Sequence, residues 1–541
     1  MPGTAGLRPA PLQWRVLVSD KLSEEGLEAL RRDPEVEVVV KTDLSPADLK
    51  QEIGAAHALL VRSATKVTAE VLASAGKLMV IGRAGVGVDN IDVEAATRRG
   101  IVVCNSPEGN TAAAAEHTWA LMLSLARSIP AANASLAAGE WKRSAFMGVE
   151  LLNKTLGVIG LGKIGGEVAV RAGAFGMKVL GYDPFVSADH AARLGVEMVE
   201  LDDLLAKSDF ITIHVALTKD TRHLLDAAAI AKVKPGVRII NCARGGVVDE
   251  TALAAAIREG RVAGAGLDVF EKEPPTDSPL LGLKNVVLTP HLGASTEEAQ
   301  LKVAVDVAHQ VLDVLHGRPA RSAVNVIPVS AESLRTLEPY LPLAEKMGRL
   351  QGQLAEGPLT SVELIYAGQL ADEDARLLTP AFLKGLLEPI LDEPVNLVNA
   401  AVVAKARGAR VIESRSREPE DYVSLITARV TTGDQEHSLS GTLFGRSEPR
   451  IVRMDQYRVD FVPSGFMLVS MHIDKPGMIG KVGTLLGQHS INIAGMHVGR
   501  SERKRGGPSV MVLALDNPIP PDVLAQLRHV DGITTATLVD L

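Results

Sequence analysis

Apolar runs rich in β-branched residues recur through the first hundred residues at a nearly fixed interval. They begin near Arg15 (RVLV), Val36 (VEVVV), Ala58 (ALLV), Met79 (MVIG) and Ile101 (IVV), each 21 or 22 residues after the one before. Such a period holds one strand, a helix of about ten residues and two short loops. The stretches between them, such as 23–31 and 47–55, have helical composition. This alternation predicts a parallel sheet in a doubly wound unit over residues 15–105, without a glycine-rich phosphate loop. A long apolar helix is expected over 111–127. Glu116 and His117 within it mark it as a buried helix, not a membrane span. A second α/β unit follows, with strands expected at 155–159, 178–182, 210–214, 237–242, 264–269 and 286–289. A helix over 297–316 and the loop-like GRPARSAVN close it.

The pattern then changes. Residues 330–460 mix helical stretches (341–354 and 370–390) with strand-like ones (360–366, 423–431 and 438–443), which predicts an α+β domain. Arg446, Arg450 and Arg453 can be read there as an anion site, but a solvated charged edge accounts for them better. From Phe466 to Leu541 the order is β-α-β-β-α-β, which is ferredoxin-like. The expected division is 15–109 with 297–329, then 110–296, then 330–460, then 466–541.

Composition narrows the function classes. A chain of 541 residues with 46% apolar content has material for three or four cores. Lys and Arg number 57 against 65 Asp and Glu, a net charge of −8, which argues against a nucleic-acid partner. Two isolated cysteines, Cys104 and Cys242, give neither a disulfide framework nor a metal pattern. The stretch from Met1 to Trp14 lacks a charged segment followed by an apolar one, so no signal peptide is read and a soluble, cytoplasmic protein is expected.

One loop carries a cofactor signature. The strand-like TLGVIG runs into Gly160-Leu161-Gly162-Lys163-Ile164-Gly165 and then a helical stretch. Gly160 would make the tight turn, Gly162 would admit a pyrophosphate, and Gly165 would let helix and strand pack closely. Asp183 follows at the end of the next strand, 18 residues after Gly165. A carboxylate there accepts both ribose hydroxyls and repels a 2′-phosphate, which favours NAD over NADP.

Hydride transfer from a secondary alcohol needs a base, a cation for the carboxylate and forming carbonyl, and a group that orients the base. Arg244 (NCARGGVVDE), Glu273 (LDVFEKEPP) and His291 (LTPHLGAST) come in order, two of them just past strand ends. With the glycine loop and Asp183 upstream, these motifs resemble the D-isomer-specific 2-hydroxyacid dehydrogenase family. The resemblance implies an NAD-dependent oxidoreductase on two Rossmann-like domains. His291 would be the acid/base, Glu273 its carboxylate partner, and Arg244 the substrate's carboxylate and carbonyl ligand. It also implies that Cys242, Ala243, Arg244, Asp268, and His291 through Gly293 and Ala294 line the nicotinamide. The chain departs at Val215 and Ala216, where relatives often read Thr-Pro, which leaves Val215 only a backbone contact.

Further motifs are similar to long-form phosphoglycerate dehydrogenases: VRSATKVTAEVL, GRAGVGVDNID, VNLVNA and GTLFG, and a tail like an ACT domain. That likeness implies D-3-phosphoglycerate as substrate, with Arg62, Ser63 and Asn110 near it. It implies a dimer crossover at Gly139-Glu140-Trp141-Lys142-Arg143, with Arg143 reaching a partner's site, and a homotetramer. It also implies L-serine as effector, held by His472, Asp474 and Asn492. Two other readings stay open. One is a dehydrogenase for glycerate or hydroxypyruvate, which a comparison with unphosphorylated D-glycerate separates. The other is an NAD(H)-sensing corepressor, which turnover excludes.

Overall fold

In the computed structural model, residues 13–327, 331–391, 394–417, 421–500 and 506–541 are described. The extreme N-terminal stretch read above and the boundary expected at 329 and 330 lie outside them.

The regular apolar runs form five parallel strands, β1 (Trp14–Val18), β2 (Val36–Val40), β3 (Ala58–Val61), β4 (Val80–Arg83) and β5 (Val102–Asn105), in the order β2-β1-β3-β4-β5. All four residues of β3 are buried. A strand covered on both faces reads as a continuous apolar run, which is why the sequence showed it. Seven parallel strands build the second sheet: β6 (Thr155–Ile159), β7 (Lys178–Tyr182), β8 (Glu197–Met198), β9 (Phe210–Ile213), β10 (Val237–Asn241), β11 (Val262–Leu267) and β12 (Val286–Leu288). Their order is β12-β11-β10-β9-β6-β7-β8. Only β8, two residues long, was not anticipated.

Helix α1 (Thr111–Arg127) packs on the second sheet through Leu121 and Met122, and its Trp119 ring stacks on Phe175 at 4.6 Å. Within the second unit, α2 (Lys163–Ala174) follows β6 directly. Helix α3 (Glu297–Leu315) returns to the first sheet and buries Val303, Val307 and Val311 there. The chain therefore crosses between the two units twice. Residues beyond the carboxyl ends of the two sheets meet across a cleft, the place where open α/β sheets take ligands.

The remaining chain adds two sheets. Leu359–Gly368 lies between parallel Arg410–Ser416 and antiparallel Ser424–Thr432, followed by Gln435–Phe444, Glu448–Met454 and Tyr457–Phe461. The helix expected over 370–390 is shorter: Leu378–Leu387 is helical, behind two 3-10 turns. Asp374 holds Arg376 through two 2.6 Å bonds, a local pairing that favours the turn over a continuing helix. Of the three arginines there, Arg450 pairs with Glu448 and Asp460 and lies over the Phe444 ring, so its charge is met within the domain.

The C-terminal sheet runs Ile493–Arg500, Pro508–Leu515, Phe466–Ile473, Ile533–Asp540, the ferredoxin-like order. One of its faces, with Val469 and Val512, shares a core with the preceding domain. Gln353 adds two bonds to the backbone of Asp540, at 2.9 and 3.0 Å. Among the described residues no helix is long and apolar enough to cross a membrane.

Candidate active site

The glycine loop has the geometry its residue types require. Gly160 has φ +90°, open to glycine at no steric cost. A Cβ on Gly165 would lie 2.0 Å from the Gly160 carbonyl oxygen, so the helix can approach the strand only without a side chain. Gly162, the N-cap of α2, is the opposite case: a Cβ there would meet nothing within 4 Å. No side chain caps α2, so its first N–H groups are left without a capping side chain beside the open space at Gly162, which fits a pyrophosphate. At the end of β7, Asp183 accepts from the Leu161 and Phe185 amides, both at 2.9 Å, which fixes its carboxylate beside the loop. Ile164 and Val215 are half-buried around it, and Lys163 reaches across the cleft to Glu108 at 2.6 Å. Behind the loop, burial pushes His214 down to about 3, and its Nε2 lies 2.9 Å from the Thr212 hydroxyl.

The proton-handling pair is formed by the loops after β11 and β12. His291 Nδ1 lies 2.8 Å from Glu273 Oε2. Burial raises the Glu273 carboxyl, but the bond from His291, that ring's charge and the Phe270 amide outweigh it, so the group is held below the usual carboxylate range. A carboxylate only accepts, so Nδ1 carries the proton and Nε2 keeps its lone pair in the neutral ring. The turn bearing His291 hangs from Asp268, whose carboxylate accepts from the Leu292 and Gly293 amides at 2.7 and 2.8 Å. Asp268 is fully buried, so it underlies that turn instead of lining an open surface. The next residue, Ala294, takes the Gln300 amide on its carbonyl. An apolar cavity of about 370 Å³, walled by Phe270, Pro274, Leu281 and Leu288, opens beside the pair.

Cations gather in the cleft. The turn after β10 is held by Asn241, which bonds the Ala243 amide and the Arg244 carbonyl at 3.0 and 2.9 Å. Cys242 beside it is buried, and burial together with Asp268 pushes its thiol up. Arg244 crosses the cleft to Asp89 at 2.9 Å, and the guanidinium fits because Gly87 has no Cβ to fill its place. Arg83, at the end of β4, was missed by sequence reasoning. Burial pulls it down to about 10, helped by repulsion from Arg244 and Arg62 and opposed by Asp89. Among the described residues its Nε has no hydrogen-bond partner. The signal was available: an arginine ending a strand inside GRAGVGVDNID stands where ligands sit. Arg62 is half-buried, just past β3, and burial lowers it against the pull of Asp20. Ser63 beside it is exposed. Asn110, at the N-cap of α1, has a buried Oδ1 with no partner among the described residues.

Other expected residues lie elsewhere. Arg143 is exposed on the 3-10 turn Arg143–Phe146, and among the described residues no hydrogen bond or ion pair joins it to the cleft. His472, Asp474 and Asn492 belong to the C-terminal sheet. His472 is buried, its Nδ1 has no hydrogen-bond partner among the described residues, and burial lowers it against the attraction of Asp474. Asp474 pairs with Arg500 at 3.1 Å, and Asn492 bonds Asp516 at 2.7 Å.

Comparison with known proteins agrees with this architecture. The family described as "D-isomer specific 2-hydroxyacid dehydrogenase, NAD binding domain" matches residues 119–293, the "D-3-phosphoglycerate dehydrogenase intervening domain" matches 336–455, and the "ACT domain" matches 466–532. A D-3-phosphoglycerate dehydrogenase of Archaeoglobus fulgidus is 50% identical over 97% of this chain and 100% of its own. One from Synechocystis is 49% identical over 97% of this chain and 95% of its own. The crystal structure of an Aquifex aeolicus D-lactate dehydrogenase complexed with NAD and lactic acid is 31% identical over 57% of this chain and 98% of its own, with a TM-score of 0.52. A glycine loop with open N–H groups, a His–Glu pair after adjacent strands and full-length likeness to these relatives converge: the chain belongs to the D-isomer-specific 2-hydroxyacid dehydrogenases, in their long D-3-phosphoglycerate dehydrogenase form.

Proposed function

We propose that this chain oxidises D-3-phosphoglycerate at its 2-hydroxyl to 3-phosphooxypyruvate with NAD, opening the route to L-serine. The observation that carries the phosphorylated substrate is the cationic cluster in which Arg62 and Arg244 both repel Arg83, a repulsion that an anion with charge at both ends would relieve. NAD supplies the hydride acceptor when bound at the glycine loop, with Asp183 on its ribose. His291 Nε2 takes the hydroxyl proton as the C2 hydride leaves, and Glu273 orients the ring and balances the imidazolium. Arg244 holds the carboxylate and polarises the forming carbonyl, a place Asp89 takes in the free protein. Arg62, Ser63, Arg83 and Asn110 serve the phosphate end. The partnerless atoms of Arg83 and Asn110 support that role. The test is kcat/KM for D-3-phosphoglycerate against unphosphorylated D-glycerate. A preference for the unphosphorylated acid sinks the substrate assignment.

Quaternary and regulatory roles are inferred in the same way. Arg143 serves the site of a second copy in a homotetramer, and the exposed Trp141 beside it, 79% accessible, supports a contact there. L-serine binds between C-terminal domains at His472, Asp474 and Asn492, in a cytoplasmic enzyme. The half-buried Asp474 carboxylate suits an ammonium, and the buried His472 imidazole suits a hydroxyl. If millimolar L-serine neither binds nor inhibits, that domain has an assembly role only.

A further inference from the structure

We propose that His117 is a positioning residue for hydride transfer: from α1 it orients the Asp268 carboxylate, and through it the turn that presents His291. The proposal rests on the reading of His291 as acid/base.

His117 Nε2 lies 3.1 Å from Asp268 Oδ1 and 3.0 Å from the Thr289 hydroxyl. Thr289 donates to the same Oδ1 at 2.6 Å. On the other side of this carboxylate, Oδ1 accepts the Leu292 amide at 2.7 Å and Oδ2 the Gly293 amide at 2.8 Å. The His291 amide ends on the Asp268 backbone carbonyl at 2.9 Å. Three consecutive amides, 291 to 293, are thus tied to one residue, and the only side chain from α1 bonded to that residue is His117. An ionised carboxylate accepts only, so His117 donates from Nε2.

Two features make this more than a satisfied core histidine. His291 has φ +56°, a left-handed conformation a non-glycine residue keeps only when its surroundings hold it. The holding group is Asp268, whose side chain is 1% exposed, so its position is set by protein donors and not by solvent. Removing His117 leaves Asp268 Oδ1 without its donor from α1, and any shift of the carboxylate that follows passes directly to the 291–293 backbone bonded to it.

A metal site is the rival reading, since atoms of His117, Cys242 and Asp268 lie within 4.8 Å of one another. The Asp268 oxygens are already taken by the donors named above. Burial and the Asp268 charge keep Cys242 as a thiol. The three groups close a hydrogen-bond network and leave no free ligand set.

The test compares His117→Ala, His117→Gln and His117→Met with wild type and with His291→Ala, measuring kcat with D-3-phosphoglycerate and the Kd of NADH by fluorescence. Glutamine places an N–H near the Nε2 position, while methionine fills the space without a donor. The expected result is a kcat loss of about tenfold to hundredfold for Ala and Met, an NADH Kd within about threefold, and recovery of most turnover by Gln. The proposal is overturned if Met turns over like Gln, or if kcat and NADH binding fall together in all three. Should the Ala protein fail to fold, the Gln–Met contrast decides alone. Near-normal turnover of His291→Ala would instead remove the acid/base reading, a separate failure.

Discussion

Two glycines of one loop, three positions apart, should fail in opposite ways when given a methyl group. In Gly165→Ala the new Cβ meets the Gly160 carbonyl oxygen at 2.0 Å, and that oxygen is backbone in a turn bounded by His214. Overpacking of this kind costs about 3 kcal/mol when the neighbour cannot yield. Better helix propensity returns about 1 kcal/mol at this third position of α2. The net loss of about 2 kcal/mol lowers the melting temperature of a unit this size by about 4–8 °C. In Gly162→Ala the Cβ enters open space, and the φ of −66° suits alanine. Its cost as a poorer N-cap is about 0.5–1 kcal/mol, a shift of about 1–4 °C. The same methyl stands where the pyrophosphate must approach, so NADH affinity should fall at least about tenfold, or 1.4 kcal/mol. Differential scanning calorimetry and NADH titration of both variants measure the contrast. The reasoning is refuted if Gly162→Ala binds NADH within about twofold of wild type, or melts lower than Gly165→Ala.

Three further outcomes follow from the site. Asp183→Asn keeps an acceptor for the Leu161 amide but loses the charge, so the preference for NAD over NADP should narrow by about tenfold or more; an unchanged ratio would place discrimination elsewhere. Arg83→Gln should raise KM for D-3-phosphoglycerate about tenfold to hundredfold, more than it lowers kcat, since a buried charge-assisted contact is worth about 1.5–3 kcal/mol; an unchanged KM would leave Arg83 a structural role. His214 is held near 3 by burial against 6.5 in the unfolded chain, so below about pH 6.5 the unfolded state takes a proton the fold refuses, and stability falls as pH drops. His214→Gln should therefore lose less urea midpoint than wild type between about pH 7 and about pH 5, and equal losses would contradict the burial.

What the sequence could show depended on how far apart the cooperating residues lie. Strands buried on both faces, such as β3 and β9, read as unbroken apolar runs, and the glycine loop announced itself because strand, turn and helix are contiguous. Arg410–Ser416 did not, because it alternates exposed and half-buried residues at a sheet edge, and Glu448–Met454 carries a proline near its start. The charged stretch around Asp374 reads as helix by composition, yet its carboxylates pair locally and turn the chain. The His291–Glu273 pair spans 18 residues and sat within recognisable motifs. His117 and Asp268 are 151 residues apart, and Asp89 and Arg244 are 155 apart. Such pairs exist only once α1 has crossed to the second sheet and the cleft has formed. His117 therefore read only as a polar residue in a buried helix.

The central claim is that His291 moves the substrate proton at a site whose NAD-binding loop is built separately. It is tested most directly by His291→Ala, assayed for turnover of D-3-phosphoglycerate and for NADH binding on the same preparation. The variant should lose kcat by about a thousandfold or more while its NADH Kd stays within about threefold of wild type, because the glycine loop and Asp183 share no hydrogen bond with the His291 side chain. Turnover near the wild-type level with NADH still bound would contradict the account.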